Sequence, residues 1–269
     1  MAAASSESLA QAKQELQSTI NGADLALAKE LFEVLSVLEE QAALRRALTD
    51  PSREPAQRAG LVQNLFGAKV SEPAIKVLQT LAGKRWSNER DLGDGLEQIA
   101  TTVVAAAAER NGLTGLNQLE SELLGFNRTV GASHEVQAAL TDPLASSQAK
   151  TTLAQRLSAS VSDEARLLID QAISSPRGKK PQDLIADFVK QIAARQQRWI
   201  ATVTVAAPLN EATQNRLATA LNGYFGRDLK LNVNVDPAVI GGMKIQVGDE
   251  VVDSSIESRL QDLKRKLAG

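Results

Sequence analysis

Cysteine is absent from this 269-residue chain, which excludes disulfides, thiolate nucleophiles and zinc–thiolate sites together. Histidine occurs once, at His134, so neither a histidine metal cluster nor a Ser-His-Asp triad is readily assembled; a surface or helix-end histidine is expected. Aromatic residues make up only 3%. A core must therefore come from Ala, Leu, Val and Ile, a combination that favours helices packed closely through alanine. Neither sign of charge dominates, since 30 Lys+Arg stand against 32 Asp+Glu, and there is no global attraction to nucleic acid. The longest apolar run, Val103 to Ala108, is far too short to span a bilayer. Residues 1–8 carry neither the basic nor the apolar region of a secretory signal. The expected setting is cytoplasmic, with any membrane association made through a partner.

Cofactor motifs are missing as well. Gly83-Lys84 is followed by Arg85 rather than Ser or Thr and lacks the spaced glycine of a P-loop. Gly93-Asp94-Gly95 lies within a predicted helix and is no dinucleotide fingerprint. Arg177-Gly178-Lys179-Lys180 reads as a solvated basic loop, and Trp199, after Arg198, as a packing residue. No catalytic residue, metal site or cofactor is expected, and the chain is read as non-catalytic.

What is present is amphipathic helix. Leu9, Ala12, Leu16 and Ile20 form one stripe over residues 7–20, ended by Asn21-Gly22. Leu27, Leu31, Val34, Leu35 and Leu38 form another over 23–40. A short helix follows around Leu44, Ala47 and Leu48, broken by Thr49-Asp50-Pro51. Helices are predicted over 55–66, 71–85 and 89–111. Then the text returns: Ala47-Leu48-Thr49-Asp50-Pro51 reappears as Ala139-Leu140-Thr141-Asp142-Pro143, 92 residues on. At that offset Leu27 and Leu31 map to Leu119 and Leu123, Leu61 and Leu65 to Leu153 and Leu157, and Ile75, Val77 and Leu81 to Leu167, Ile169 and Ile173. Asp91-Leu92 maps to Asp183-Leu184. One fixed spacing over so many apolar positions argues for a duplicated helical module.

From Ile200 the period changes to two. Ala201, Val203 and Val205 alternate with threonines up to Pro208, and Asn210 is placed to cap a helix over 211–225. A second strand follows with Leu229, Leu231, Val233 and Val235 on one face, stopped by Asp236-Pro237. Gly241-Gly242 reads as the turn of a hairpin into a strand carrying Met243, Ile245 and Val247. Ser254-x-x-Glu257 forms a capping box for a last helix over 255–267. The expected fold is mainly α, with two tandem helical bundles at 1–112 and 113–198 and a small α+β domain at 199–269.

The order Val235-Asp236-Pro237, Ile240-Gly241-Gly242, Ile245 to Gly248-Asp249, Val252-Asp253-x-Ser255 and Arg259-Leu260 resembles the C-terminal signature of the delta subunit of F-type ATP synthases, called the oligomycin sensitivity-conferring protein in mitochondria. The resemblance implies a non-catalytic peripheral-stalk subunit tying the catalytic head to the membrane sector, in a hetero-oligomer on the cytoplasmic face of the cell membrane. The family's single N-terminal helical domain is here copied. By the same resemblance, the first bundle receives N-terminal helices of the head's alpha subunits along its first and fifth helices, with Leu9, Ala10, Ala12, Ile75, Leu78 and Leu81 as candidate contacts. The family often places Tyr-Ala where this chain has Leu9-Ala10. The C-terminal domain is expected to grip a b-type stalk subunit through Val239, Ile240, Met243, Ile256 and Leu260, with Arg259 at the rim. Asp236, Pro237, Gly241, Gly242, Gly248, Asp253 and Ser255 are expected to shape the fold that presents them. The alternative reading is a helical-repeat adaptor binding an unrelated soluble partner.

Overall fold

A computed structural model describes residues 1–226, 229–237, 239 and 242–253. It divides the chain into two compact units, Met1–Ile192 and Ala193–Gly269; both helical modules lie in the first, except for the end of its last helix.

The first unit is wholly helical. In order it contains α1 (Ala3–Glu15), α2 (Gln17–Gly22), α3 (Leu25–Glu40), α4 (Ala42–Thr49), α5 (Pro55–Phe66), α6 (Glu72–Gly83), α7 (Glu89–Ala108), α8 (Gly112–Gly131), α9 (His134–Thr141), α10 (Ser147–Leu157), α11 (Asp163–Ser174) and α12 (Pro181–Gln196). The starts are set locally. Asp24, Ser71 and Asn88 accept backbone N–H groups at the first turns of α3, α6 and α7, and Ser133, Ser146 and Ser162 do so for α9, α10 and α11. Each such cap contributes about 1 kcal/mol. One element differs from the expectation: the first helix breaks at Leu16, which leaves the helical region at ψ 3° and is completely buried. Its stripe continues on both sides of the break, through Leu9, Ala12 and Ile20, so the kink keeps one apolar face against the bundle.

The spine of the unit is α7. Ile99, Ala100, Thr101 and Val103 to Ala108 are all buried, with Thr102 half-buried among them, close to the condition of a helix that is apolar all round. Two glycines near its start cost helix propensity but admit neighbours. A Cβ at Gly93 would lie 2.9 Å from the Arg177 guanidinium and 3.4 Å from Leu35, and one at Gly95 would lie 2.7 Å from the Trp86 ring. Trp86 is itself core, its indole N–H donating to the Leu81 carbonyl at 2.8 Å.

The duplication is visible bond by bond. Glu30 Oε2 accepts from Ser71 N at 3.1 Å and Ser71 Oγ at 2.6 Å; Glu122 Oε2 accepts from Ser162 N at 3.0 Å and Ser162 Oγ at 2.5 Å. Arg45 Nη1 donates to the Glu39 carbonyl at 2.7 Å, and Gln137, 92 residues on, donates to the Gly131 carbonyl at 3.1 Å. Thr49 and Thr141 each donate to the carbonyl four residues back at 2.8 Å. One part of the expected register shifts. The caps Ser71 and Ser162 are 91 residues apart, whereas Glu54 and Ser146, which begin α5 and α10, are 92 apart. Helix α10, with 11 residues, is one residue shorter than α5, with 12, while the loops that follow them are equal in length. Consequently Ala74, Val77, Leu78, Leu81 and Ala82 correspond to Ala165, Leu168, Ile169, Ala172 and Ile173, all buried, in place of the pairing with Leu167, Ile169 and Ile173. The spacing returns to 92 at the starts of α7 and α12.

The second unit holds β1 (Ile200–Val205), α13 (Glu211–Phe225), β2 (Lys230–Val235), β3 (Met243–Val247) and β4 (Glu250–Asp253). The sheet order is β2-β1-β3-β4. Parallel pairing of β1 with β2 requires the crossover that α13 supplies, and Asn210 caps that helix as expected, accepting from Thr213 N at 2.8 Å. Ala201, Val203, Val205, Leu221, Leu229, Ile245 and Val247 form its core. Val235, on the same face of β2, is 49% exposed at the strand's end.

The Gly241-Gly242 hairpin is corrected here. β3 pairs antiparallel with β1, not with β2, so the chain between β2 and β3 carries it to the far side of the central strand. The two-residue hairpin is β3–β4, turning at Gly248-Asp249. Gly248 has φ +59°, and Asp249 is not among the described residues with positive φ, the pattern of a type II′ turn with glycine first. The last helix predicted from the Ser254-x-x-Glu257 box lies outside the described residues.

Candidate partner-binding surface

Helix α1 is tied down by serine. Ser5 Oγ donates to Asp91 Oδ2 at 2.6 Å and accepts from Ser87 N at 2.9 Å, while Ser8 Oγ donates to the Arg85 carbonyl at 2.7 Å. Lys84 adds an ion pair with Glu15. These bonds hold α1 against the end of α6 and the start of α7. The C-terminus of α6 is closed by Arg58, whose guanidinium donates to the carbonyls of Gly83 at 3.3 Å and Lys84 at 3.1 Å; such donors satisfy carbonyls that a helix end leaves unpaired.

Along α2, the start of α3 and the start of α6 lies an open cleft of about 630 Å³. It is lined by Ser18, Thr19 and Gly22 of α2, by Ala26, Leu27 and Glu30 of α3, and by Ser71, Glu72, Pro73 and Lys76 at the start of α6. Glu30 sits beneath it, ordered by its two bonds from Ser71. A shallower depression beside α1 is lined by Met1, Ser6, Leu9, Ala10, Lys13 and Gln98.

The structure gathers Leu9, Ala10, Ala12, Ile75, Leu78 and Leu81 on two touching helices, α1 and α6. Their exposures differ. Ala10 faces solvent. Leu9 and Ile75 are 5% and 7% exposed, while Ala12 and Leu81 are completely enclosed. Ala10 is thus on the surface, and the other five are buried.

In the second unit, Val239 and Met243 are half-buried, and Asp236 and Pro237 are exposed. The Asp236 N–H donates to the Val205 carbonyl at 2.9 Å and its own carbonyl accepts from Val239 N at 3.1 Å, so the Asp-Pro turn is fastened to the central strand. Gly242 has φ +77°. Asp253 closes β4. Ile240, Gly241, Ser255, Ile256, Arg259 and Leu260 lie outside the described residues.

The basic loop after α11 departs from its expected solvation. Arg177, with φ +53°, is turned inward. Its Nε donates to Glu39 at 2.9 Å, Nη1 to Glu97 at 3.1 Å and Nη2 to Asp94 at 2.7 Å, and its side chain is 8% exposed. One guanidinium thereby joins α3 and α7 to the α11–α12 loop. Burial opposes its charge, but Glu97, Asp94 and Glu39 raise its pKa above the ordinary value. Burial also holds Glu97 above the usual carboxylate value, because Arg177 is shared among three acids and offsets only part of that cost. Consistently, Glu97 Oε1 has no hydrogen-bond partner. The remaining expectation for an isolated side chain stands: His134 is exposed as the first residue of α9.

Among the described residues no helix is long and apolar enough to cross a membrane. Shallow clefts, helix faces and a small four-stranded sheet define a multi-helical scaffold with an α/β unit after it. A family model described as the ATP synthase delta (OSCP) subunit matches residues 6–99 and again 97–267. The chain is 52% identical to ATP synthase subunit delta of Arthrobacter sp. (strain FB24) and 51% identical to that of Pseudarthrobacter chlorophenolicus, each over 275 aligned residues. It is 51% identical to that of Renibacterium salmoninarum over 271. In all three, 100% of both chains is covered. The chain belongs to the ATP synthase delta (OSCP) subunit family, as a long form in which the helical part is duplicated. It is a peripheral-stalk component of an F-type ATP synthase and so part of a hetero-oligomeric complex.

Proposed function

We propose that this chain is the non-catalytic clamp between the alpha/beta head and a b-type stalk subunit, holding the head against rotation so that proton flow stays coupled to ATP synthesis. It would sit peripherally on the cytoplasmic face of the cell membrane, through the complex. The observation that carries the reading is the cleft along α2, the start of α3 and the start of α6, in a chain aligned end to end with delta subunits. A helix laid there meets Ala26 and Leu27, with Glu72 and Lys76 as charged residues of the lining; of the candidate contacts, Leu9 and Ala10 line the separate depression beside α1, and Ala12, Ile75, Leu78 and Leu81 are buried in α1 and α6. Apolar burial supplies affinity in such helix-in-groove contacts and rim charges supply orientation. In the second unit, Val239 within the loop after β2 and Met243 at the start of β3 are proposed, with Ile240, Ile256, Leu260 and Arg259, as the stalk-binding set.

The test is a gentle pull-down of the tagged full chain from solubilised membranes of its own cells, with the co-purifying chains identified and the eluate assayed for ATPase. Alpha, beta and a b-type subunit in fixed proportion are expected. An unrelated soluble partner in place of all three would establish the adaptor alternative. In the assembled membranes, removal of the second unit is expected to leave ATP hydrolysis running without proton pumping.

A further inference from the structure

The Glu–Ser bridge that both copies share is closed in one and open in the other. Glu30 and Glu122 are each half-buried, and in each Oε2 takes both bonds from the serine that caps the next helix over, Ser71 of α6 or Ser162 of α11. The two differ at the other oxygen. Glu122 Oε1 accepts from Gln118 Nε2 at 2.9 Å, one helical turn back along α8. At the repeat spacing the position of Gln118 is held by Ala26, which has no donor to offer. Glu30 Oε1 accepts no hydrogen bond among the described residues.

That free acceptor belongs to a residue lining the cleft. Glu30 shares the lining with Ala26, one turn before it, and with Asp24, Glu72 and Lys76, all four of them exposed. Asp24, Glu30 and Glu72 are thus set against the single base Lys76, and no ion pair among the described residues engages any of them. The amides that open α3 and α6 have acceptors of their own in Asp24 and Ser71, which lessens any call for an anion. What is left over is a carboxylate oxygen without a donor. The surplus of acid selects a cationic donor, because a bond with both partners ionised is shorter and stronger than a neutral one. Ser71 holds Glu30 in place beforehand, so a partner loses little in ordering it.

We propose that Glu30 is the polar anchor of this cleft: its Oε1 receives a Lys or Arg side chain from the docked helix of the alpha subunit, fixing that helix along an otherwise permissive contact with Ala23, Ala26, Leu27 and Pro73. In the second copy Gln118 fills the same place on the carboxylate from within the chain. The inference rests on the reading of the cleft as the head-docking surface and adds to it the chemistry that the head must supply.

The test is calorimetric titration of the folded full chain with a synthetic peptide of the alpha subunit's N-terminal helix, at low and high salt. Glu30→Gln keeps an oxygen for Ser71 and removes the charge. Ala26→Gln leaves Glu30 in place and supplies the second copy's donor, so it decides the matter even if Glu30→Gln fails to fold. Each is expected to weaken binding roughly 10-fold, and the loss should shrink as salt rises. Ala26→Met, similar in reach but without a donor, should weaken it less than Ala26→Gln. Replacing the peptide's Lys and Arg residues by Met, one at a time, locates the partner: one replacement should cost as much as Glu30→Gln in the parental chain and less than about 2-fold in the Glu30→Gln chain. Parental affinity in both variants, equal losses from Ala26→Met and Ala26→Gln, or no replacement that couples to Glu30 would overturn the anchor and leave docking standing. A peptide that does not bind the parental chain would strike the docking reading and the anchor with it. A parental chain that sediments as a dimer, and as a monomer once Glu30 is changed to Gln, would seat a second copy in the cleft and overturn the assignment to the head.

Discussion

The two halves of the helical unit share a scaffold and differ in their surroundings. The Glu–Ser cap bridge, the Thr that donates back one turn and the Asp that receives the turn after it recur in both copies with bond lengths within a few tenths of an ångström. What differs is which faces meet water. Phe32 is 4% exposed in the first copy, while Leu124 at the same place in the second is 38% exposed; Ser5 binds a backbone amide, while its counterpart Glu97 binds a guanidinium. Duplication thus preserves the bonds that each helical start needs for itself and rewrites the contacts that depend on neighbours. Local hydrogen bonds are made within the copy, but burial is decided by whatever packs outside it.

The sharpest contrast in stability is expected at the pair just named. Phe32→Ala should cost on the order of 4 kcal/mol, as truncation of an enclosed aromatic does. Leu124→Ala should cost on the order of 1–2 kcal/mol, because more than a third of that side chain already meets water. Urea unfolding of the full chain measures both. Equal losses would mean that the second copy's face is covered in solution.

Next comes the corner. Arg177→Met is expected to lose about 3 kcal/mol, since it leaves Glu39 and Glu97 in a partly dry site without their cation. Its positional counterpart, Arg85, is exposed, and Arg85→Met should stay within about 0.5 kcal/mol. An Arg177→Met chain that unfolds at the parental midpoint would remove the clamp between the copies.

A third pair should refuse to differ. Glu30→Ala and Glu122→Ala each delete a carboxylate accepting two bonds from a cap serine, and each should cost about 2 kcal/mol. Thermal shifts that disagree widely would show that the repeated bond is not energetically repeated.

How much of this was legible follows from the range of each interaction. The cap at Asn210 was legible in the sequence because the side chain and the amide it serves are three residues apart; those at Asp24, Ser71 and Asn88, equally local, emerge from the structure. The apolar stripes announce the helices for the same reason, and period-two alternation announces the strands. Alternation names a strand's face but not its neighbour, which is why β2 and β3, adjacent in sequence, were expected to pair and instead flank β1. Arg177 was illegible because its partners lie 80, 83 and 138 residues away, and a run of Arg, Gly and Lys looks the same whether it is solvated or clamped. At the candidate docking surface, the two helices were readable. The division between Ala10 on the face and Ala12 within it was not, because alanine suits both.

The smallest expected effect belongs to the titration of Glu97 and has no match in the first copy, where serine stands at that position. Burial raises the Glu97 pKa above its ordinary 4.5, so the folded chain holds this proton more tightly than the unfolded chain. The stability it contributes is fully present below the ordinary value and is lost as pH rises through the raised one. Glu97→Gln cannot lose a proton there. The stability difference between variant and parent should therefore move in the variant's favour as pH rises from about 4 toward neutrality, then level off. Paired urea titrations across that range measure the slope. A gap that stays constant would mean that Glu97 titrates alike in both states, and one that moves the other way would mean that Arg177 overcompensates its burial. In the Arg177→Met background the cation's opposing pull is gone, so the same slope should steepen and extend to higher pH. That makes the titration a direct reading of how much the guanidinium gives to one of its three acids.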